Sequence, residues 1–121
     1  MATVDTTLRV THSEDRTYTA VISLNDAVVN LSGASIYLTA KYNYQDTDAD
    51  AVFQLSTTAG DITITNAAAG AISFTIPDTA TSSLPYAELR LVYDLLVITA
   101  AGTRGYPLRG TLIIAPNVSR V

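Results

Sequence analysis

The chain has 121 residues, 48% of them apolar and 15% charged, with no cysteine and a formal net charge of -4. This is one domain's length with enough apolar side chain for a single core, which excludes a disordered chain, and the absence of cysteine excludes disulfides and thiolate metal sites. Sparse, mixed charge gives no basic patch for nucleic-acid phosphates, and the longest apolar-leaning run, LLVITAA, is too short to cross a bilayer.

Thr, Ala, Val, Ile and Leu dominate, and lysine is nearly absent. Branched side chains suit a pleated, half-buried surface. Residues 1–6 are small and polar and are expected as an arm. The stretch MATVDTTLRVTHSED lacks a basic-then-apolar signal sequence, so export by a cleaved signal is not expected. Leu8 and Val10 alternate with Thr7, Arg9 and Thr11 as a first strand, and HSED at 12–15 reads as a turn. Residues 16–24 place Tyr18, Ala20, Ile22 and Leu24 on one side and Thr17, Thr19 and Ser23 on the other, interrupted by Val21. That is a strand with one wet face. Asn25 and Asp26 are turn chemistry, and Gly33 is free to take positive φ. Residues 34–42 alternate again, with Ile36, Leu38, Ala40 and Tyr42 against Tyr37, Thr39 and Lys41. An acidic loop follows, then short strands at 52–56, from Ile62 to Ile64, and at 71–76, where Pro77 ends the ladder. Residues 77–85 are loop-like, with a short helical turn capped by Asp78.

The central feature is 86–115, two strand-like runs around a Gly-containing turn. Leu89, Leu91, Tyr93, Leu95 and Val97 share one parity, which predicts a core face. After the turn, Leu108, Leu112 and Ile114 continue one face and Ile113 falls on the other. Val92, Leu96, Ile98 and Ile113 put apolar surface opposite the core, where an isolated antiparallel sheet keeps polar residues. That surplus predicts burial against a neighbouring subunit, hence a homo-oligomer. About seven to nine short strands with regularly spaced turns predict an immunoglobulin-like antiparallel β-sandwich spanning 1–121 as one domain, with extended arms at 1–6 and 116–121. The Cys–Trp–Cys signature of antibody domains is missing.

Candidate chemistry is sparse. Asp46, Asp48 and Asp50 alternate in a loop, as calcium-binding carboxylates do. An EF-hand loop needs Gly and Glu where this chain has Ala51 and Thr57, so a solvated loop is expected. His12, the single histidine, is expected at a surface turn beside Glu14 and Asp15. No G-x-S-x-G nucleophile motif is present. Glu88 and Asp94 share a strand face about 20 Å apart by strand rise, too far for a glycosidase pair. Arg90 and Asp94 are expected on a face partly covered by a loop or another subunit. Tyr37, Tyr42, Tyr44, Tyr86, Tyr93 and Tyr106 gather near strand ends and loops, which suits either an interface or a sandwich core. No catalytic, cofactor-binding or metal-ligating residue is assigned, and no enzyme, cofactor, nucleic-acid or membrane role is expected.

The stretch LNDAVVNLSGASIYLTAK at 24–41 resembles the opening of the N-terminal domain of phage baseplate upper proteins. The later course is similar to the same family at Gly70, Ile72, Phe74, Ile76, Asp78 and Thr79, at Val92, Tyr93, Asp94, Leu95 and Val97, and at Gly110, Leu112, Ile114, Pro116, Val118, Ser119 and Arg120. The resemblance covers about residues 18–121 and lies in strands and turns. It implies a non-enzymatic virion structural protein with an immunoglobulin-like fold, made in the host cytoplasm and attached to other virion proteins of the tail, neck, baseplate or fibre. The chain stops where that domain stops, so an adaptor, an accessory protein or a capsid decoration protein is expected. A calcium-assisted carbohydrate-binding sandwich is the alternative.

Overall fold

A computed structural model describes residues 4–24 and 27–120. Its strands are β1 (Val4–Asp5), β2 (Leu8–Thr11), β3 (Arg16–Val21), β4 (Ser23–Leu24), β5 (Ala27–Val28), β6 (Ser35–Lys41), β7 (Phe53–Ser56), β8 (Ile62–Asn66), β9 (Ala71–Ile76), β10 (Leu89–Ile98) and β11 (Arg104–Ala115). Asp48–Asp50 and Asp78–Ala80 form single 3-10 turns, and no α-helix occurs among the described residues. With β1 and β2 counted as one interrupted edge, eight strands build two sheets. One is a curled five-strand sheet in the order β1/β2, β11, β10, β6, β7. The other is the antiparallel sheet β3, β9, β8. The short pair β4 and β5 stands apart from both, and the Asn25–Asp26 turn expected between them lies outside the described residues.

Strand alternation determines what is buried. Leu91, Tyr93, Leu95 and Val97 of β10 are all buried, as their shared parity predicts. Ile36, Leu38 and Ala40 of β6 meet them from one side, and Leu112 and Ile114 of β11 from the other. Ile72, Phe74 and Ile76 of β9 and Ile62 of β8 complete the same cluster from the second sheet, so the two sheets share one core. Tyr18 stacks on Phe74, its cross-strand partner, with ring centroids 5.5 Å apart. The Tyr18 hydroxyl donates to the Arg9 carbonyl and accepts from the Arg9 N–H, so β3 is stitched to β2 of the other sheet.

The large sheet is mixed, not antiparallel throughout, because β1 and β2 run parallel to β11. Val4 lies opposite Leu108 and Leu8 opposite Leu112, so the register is the same on both sides of the break at Thr6–Thr7. The expected arm at 1–6 is therefore, from Val4 onward, part of the domain's own sheet; Met1 to Thr3 lie outside the described residues. At the break the Thr6 N–H donates to the Arg109 carbonyl at 2.8 Å, and the Thr6 carbonyl accepts from the Tyr93 hydroxyl at 2.6 Å. Gly110 pairs with Tyr93 and lies beneath this crossing, with φ +152°. A Cβ there would stand 2.2 Å from the Thr6 oxygen, closer than any real contact.

The hairpin is also irregular. Leu95 pairs with Leu108 but Val97 pairs with Gly105, so β11 carries one extra residue opposite Leu96. Pro107 falls in this bulge, where its missing N–H breaks no regular ladder bond. The turn closes through Thr99 N–H to the Thr103 carbonyl at 2.9 Å and Gly102 N–H to the Thr99 carbonyl at 2.8 Å.

Gly110→Ala must displace the Thr6 backbone and is expected to cost about 2 kcal/mol, read by urea unfolding, with faster hydrogen exchange at the Thr6 amide. Tyr93→Phe removes only the hydroxyl and is expected to cost about 1 kcal/mol. A Gly110→Ala protein as stable as the parent would contradict the close approach.

Candidate functional site

The face of the large sheet opposite the core carries a row of polar residues in register. Gln54 of β7 pairs with Thr39 of β6, Thr39 with Asp94 of β10, Asp94 with Arg109 of β11, and Arg109 with Asp5 of β1. Directly paired residues share a face, so one polar line crosses all five strands. Gln54 Nε2 donates to Thr39 Oγ1 at 2.9 Å, and Arg109 Nε donates to Asp5 Oδ1 at 3.0 Å. Apolar positions flank the line. Val92 pairs with Lys41 and Thr111, Leu96 with Tyr37, and Ile98 with Arg104 and Ser35.

The loop between β6 and β7 folds over one end of this face. Lys41 fixes it, because Nζ lies 2.8 Å from Asp48 Oδ1 and donates to the Asp46 carbonyl at 2.9 Å. Tyr44 and Asp48 of the loop, together with Tyr106 beside the β11 bulge, border a trough of about 770 Å³ that includes Asp94, Thr39, Val92 and Leu96 in its lining. The β11 bulge lies beside Tyr106, and bulges commonly redirect neighbouring side chains.

Two carboxylates of the trough are shifted in opposite directions. Burial raises the Asp94 carboxyl above the usual range, with Lys41 pulling it down and Asp48 pushing it up. The hydrogen bond and charge of Lys41 hold Asp48 below that range. Asp94 has no hydrogen bond or ion pair of its own among the described residues, since the guanidinium opposite it is turned to Asp5.

The sequence candidates are placed as follows. Asp46 accepts from the Asn43 N–H at 3.2 Å, Asp48 binds Lys41, and Asp50 accepts from Thr47 Oγ1 at 3.1 Å. Each carboxylate thus takes a separate local partner, and no group of three metal-ligating acid, His or Cys side chains is gathered among the described residues. Glu88 precedes β10 and lies 3.8 Å from Arg90 at the surface, apart from the trough. Of the tyrosines, Tyr93 is buried in the core and also borders the trough, which Tyr37, Tyr44 and Tyr106 line with it. Tyr42 and Tyr86 are exposed. The apolar surplus at Val92, Leu96 and Ile98 is half-buried in the trough, and Ile113 is buried between its register partners Arg9 and Arg90.

His12 corrects the expectation of a surface residue: it is only 2% exposed. Its Nε2–H donates to the Leu84 carbonyl at 2.9 Å, Nδ1 lies 2.8 Å from Ser13 Oγ, and its ring lies 4.4 Å from that of Tyr86. The cause is a latch between distant turns. The Ser13 N–H donates to Thr81 Oγ1 at 2.8 Å, and the Asp78 N–H donates to Asp15 Oδ1 at 2.7 Å. Asp78 is therefore not a cap: Pro77 holds the cap position and the carboxylate comes from Asp15. The segment 116–120, expected as an arm, returns to this corner, where the Arg120 guanidinium lies 3.9 Å from the Tyr86 ring centroid.

The molecule is thus an all-β protein of two sheets around one core, with a mixed polar and aromatic trough on its larger sheet. Neither a protein-family model nor a curated protein matches this chain.

A raised carboxyl pKa means the folded state holds the proton more tightly than the unfolded one, so an ionised Asp94 costs stability above its folded pKa and the cost vanishes on acidification. Asp94→Asn is expected to be more stable than the parent at pH 7, with the advantage fading as pH falls and gone below about 3.9, measured by urea unfolding across pH. Equal or lower stability at pH 7 would contradict the burial of that charge. His12→Phe leaves the Leu84 carbonyl without its donor and is expected to cost about 2 kcal/mol by thermal unfolding.

Proposed function

We propose that the chain is a non-enzymatic structural protein of a phage particle, an assembly or attachment module of the tail, neck, baseplate or fibre apparatus built on an immunoglobulin-like sandwich. The observation that supports the immunoglobulin-like part of this reading is the strand order. With β3 taken as the B strand, β6, β7, β8, β9, β10 and β11 follow as C, C′, D, E, F and G. The sheets would then be B–E–D and C′–C–F–G, an order that supports an immunoglobulin-like reading. The sequence resemblance to baseplate upper proteins supports the same reading through strands and turns of that order.

Fold alone does not fix function, so the assignment to a particle rests on that resemblance. The end strands β3, β7 and β8 each have one neighbouring strand in the described sheets, which leaves backbone edges for docking to other virion proteins or to further copies of the chain. The test is quantitative mass spectrometry of purified particles of the phage that encodes the chain. A handful of copies per particle is expected for a baseplate, neck or fibre module. Hundreds would assign a capsid decoration role, and complete absence would overturn the virion reading.

A further inference from the structure

We propose that the trough on the large sheet is a calcium-independent binding site for a neutral oligosaccharide, with Tyr37, Tyr44 and Tyr106 as stacking surfaces and Asp94 as the principal acceptor. The inference does not rest on the virion reading and would stand in a protein with another role.

Charge is the first argument. Five charged side chains line the trough: Lys41, Asp48, Asp94, Arg104 and Arg109. Lys41 is neutralised by Asp48 at 2.8 Å and Arg109 by Asp5 at 3.0 Å. Among the described residues one cation of the lining, Arg104, and one anion, Asp94, remain without an ion pair. An anionic ligand would meet the Asp94 carboxylate, and a cationic one would meet Arg104. The balance suits an uncharged ligand.

The second argument is the alternation of surface types. Rows of the sheet present Val92, then Asp94, then Leu96, so apolar and polar positions follow one another along β10. A sugar ring has the matching pattern: faces of C–H groups that lie on aromatic or aliphatic surface, and a rim of hydroxyls that donate and accept hydrogen bonds. Asp94 accepts only, Gln54 both donates and accepts, and Lys41 and Arg104 donate. The Asp94 carboxylate is half-buried with no side-chain hydrogen bond among the described residues, and donors supplied by ligand hydroxyls would offset that desolvation. The volume of about 770 Å³ falls within the size of small-molecule sites, about 300–1,000 Å³.

The third argument concerns calcium. Asp46, Asp48 and Asp50 are engaged by Asn43, Lys41 and Thr47 respectively. Of the three only Asp48 lines the trough, and no group of three metal-ligating acid, His or Cys side chains is gathered among the described residues, so the proposed binding uses the side chains alone.

The test is an array of neutral oligosaccharides probed with the full chain, with and without EDTA. Each hit is followed by amide-detected NMR titration. At least one neutral glycan is expected to bind equally in both conditions, with perturbed amides confined to β6, β7, β10, β11 and the 42–52 loop. Tyr44 is 75% exposed, so Tyr44→Ala should leave folding intact and weaken binding about tenfold, the scale of one lost stacking contact. Asp94→Asn should weaken it similarly. No hit on the array, loss of binding in EDTA, selection of anionic glycans only, or unchanged affinity in both variants would each overturn the proposal. So would concentration-dependent shifts of the trough amides without sugar, which would assign the trough to a second copy of the chain.

Discussion

The hydrogen bond from the Tyr93 hydroxyl to the Thr6 carbonyl holds the large sheet to its shape. It joins the middle of the sheet to its outermost strand by passing over Gly110, and it exists only because that residue has no side chain. Burial raises the Tyr93 phenol, so the hydroxyl keeps its proton and remains a donor. Thr6 in turn anchors Asp5, whose carboxylate engages Arg109 at the end of the polar row. With Arg109 so engaged, Asp94 makes no ion pair among the described residues and feels only the charge of Lys41, itself paired to Asp48. The electrostatics of the outer face thus depend on a contact made on the inner one.

The periodicity of the sequence made the core legible. Ile36, Leu38 and Ala40, Ile72, Phe74 and Ile76, and the odd residues of β10 all alternate at strand period, and all are buried. Sequence alternation could not show β1, two residues long in a polar segment, because its pairing is to Leu108 and Arg109 at the far end of the chain. Nor could it show the bulge at Tyr106 and Pro107, since one extra residue in a strand looks like a change of parity. His12 departs from its local pattern for a related reason. Its neighbours Glu14 and Asp15 suggest solvent, whereas the ring is covered by Leu84 and Tyr86, which no local pattern connects to it.

The trough was half legible. The apolar residues Val92, Leu96 and Ile98 were recognisable as a surplus opposite the core, and the sheet face was expected to be partly covered. What the sequence lacked was the agent of cover. Lys41 binding Asp48 brings the acidic loop over the face, and this ion pair links a strand residue to a loop residue with no regular spacing between them. The in-register line from Gln54 to Asp5 likewise requires the order of five strands, which no single strand reveals. The tyrosines divide accordingly: Tyr93 serves the core through its neighbours on β6 and β11, and Tyr37, Tyr44 and Tyr106 serve the outer face.

The parallel pairing of β1 and β2 with β11 also constrains how the protein is made. β1 and β2 find their partner in β11, so this pairing has the greatest sequence separation among the described strands and the largest loop to close. During synthesis Leu8 and Val10 must wait, unpaired, until Leu112 and Ile114 have left the ribosome. For that interval they form an open apolar edge in an otherwise growing domain. The Arg9 backbone bonds to Tyr18 offer a local partner that is available early, and could hold β2 near β3 until the final strand arrives.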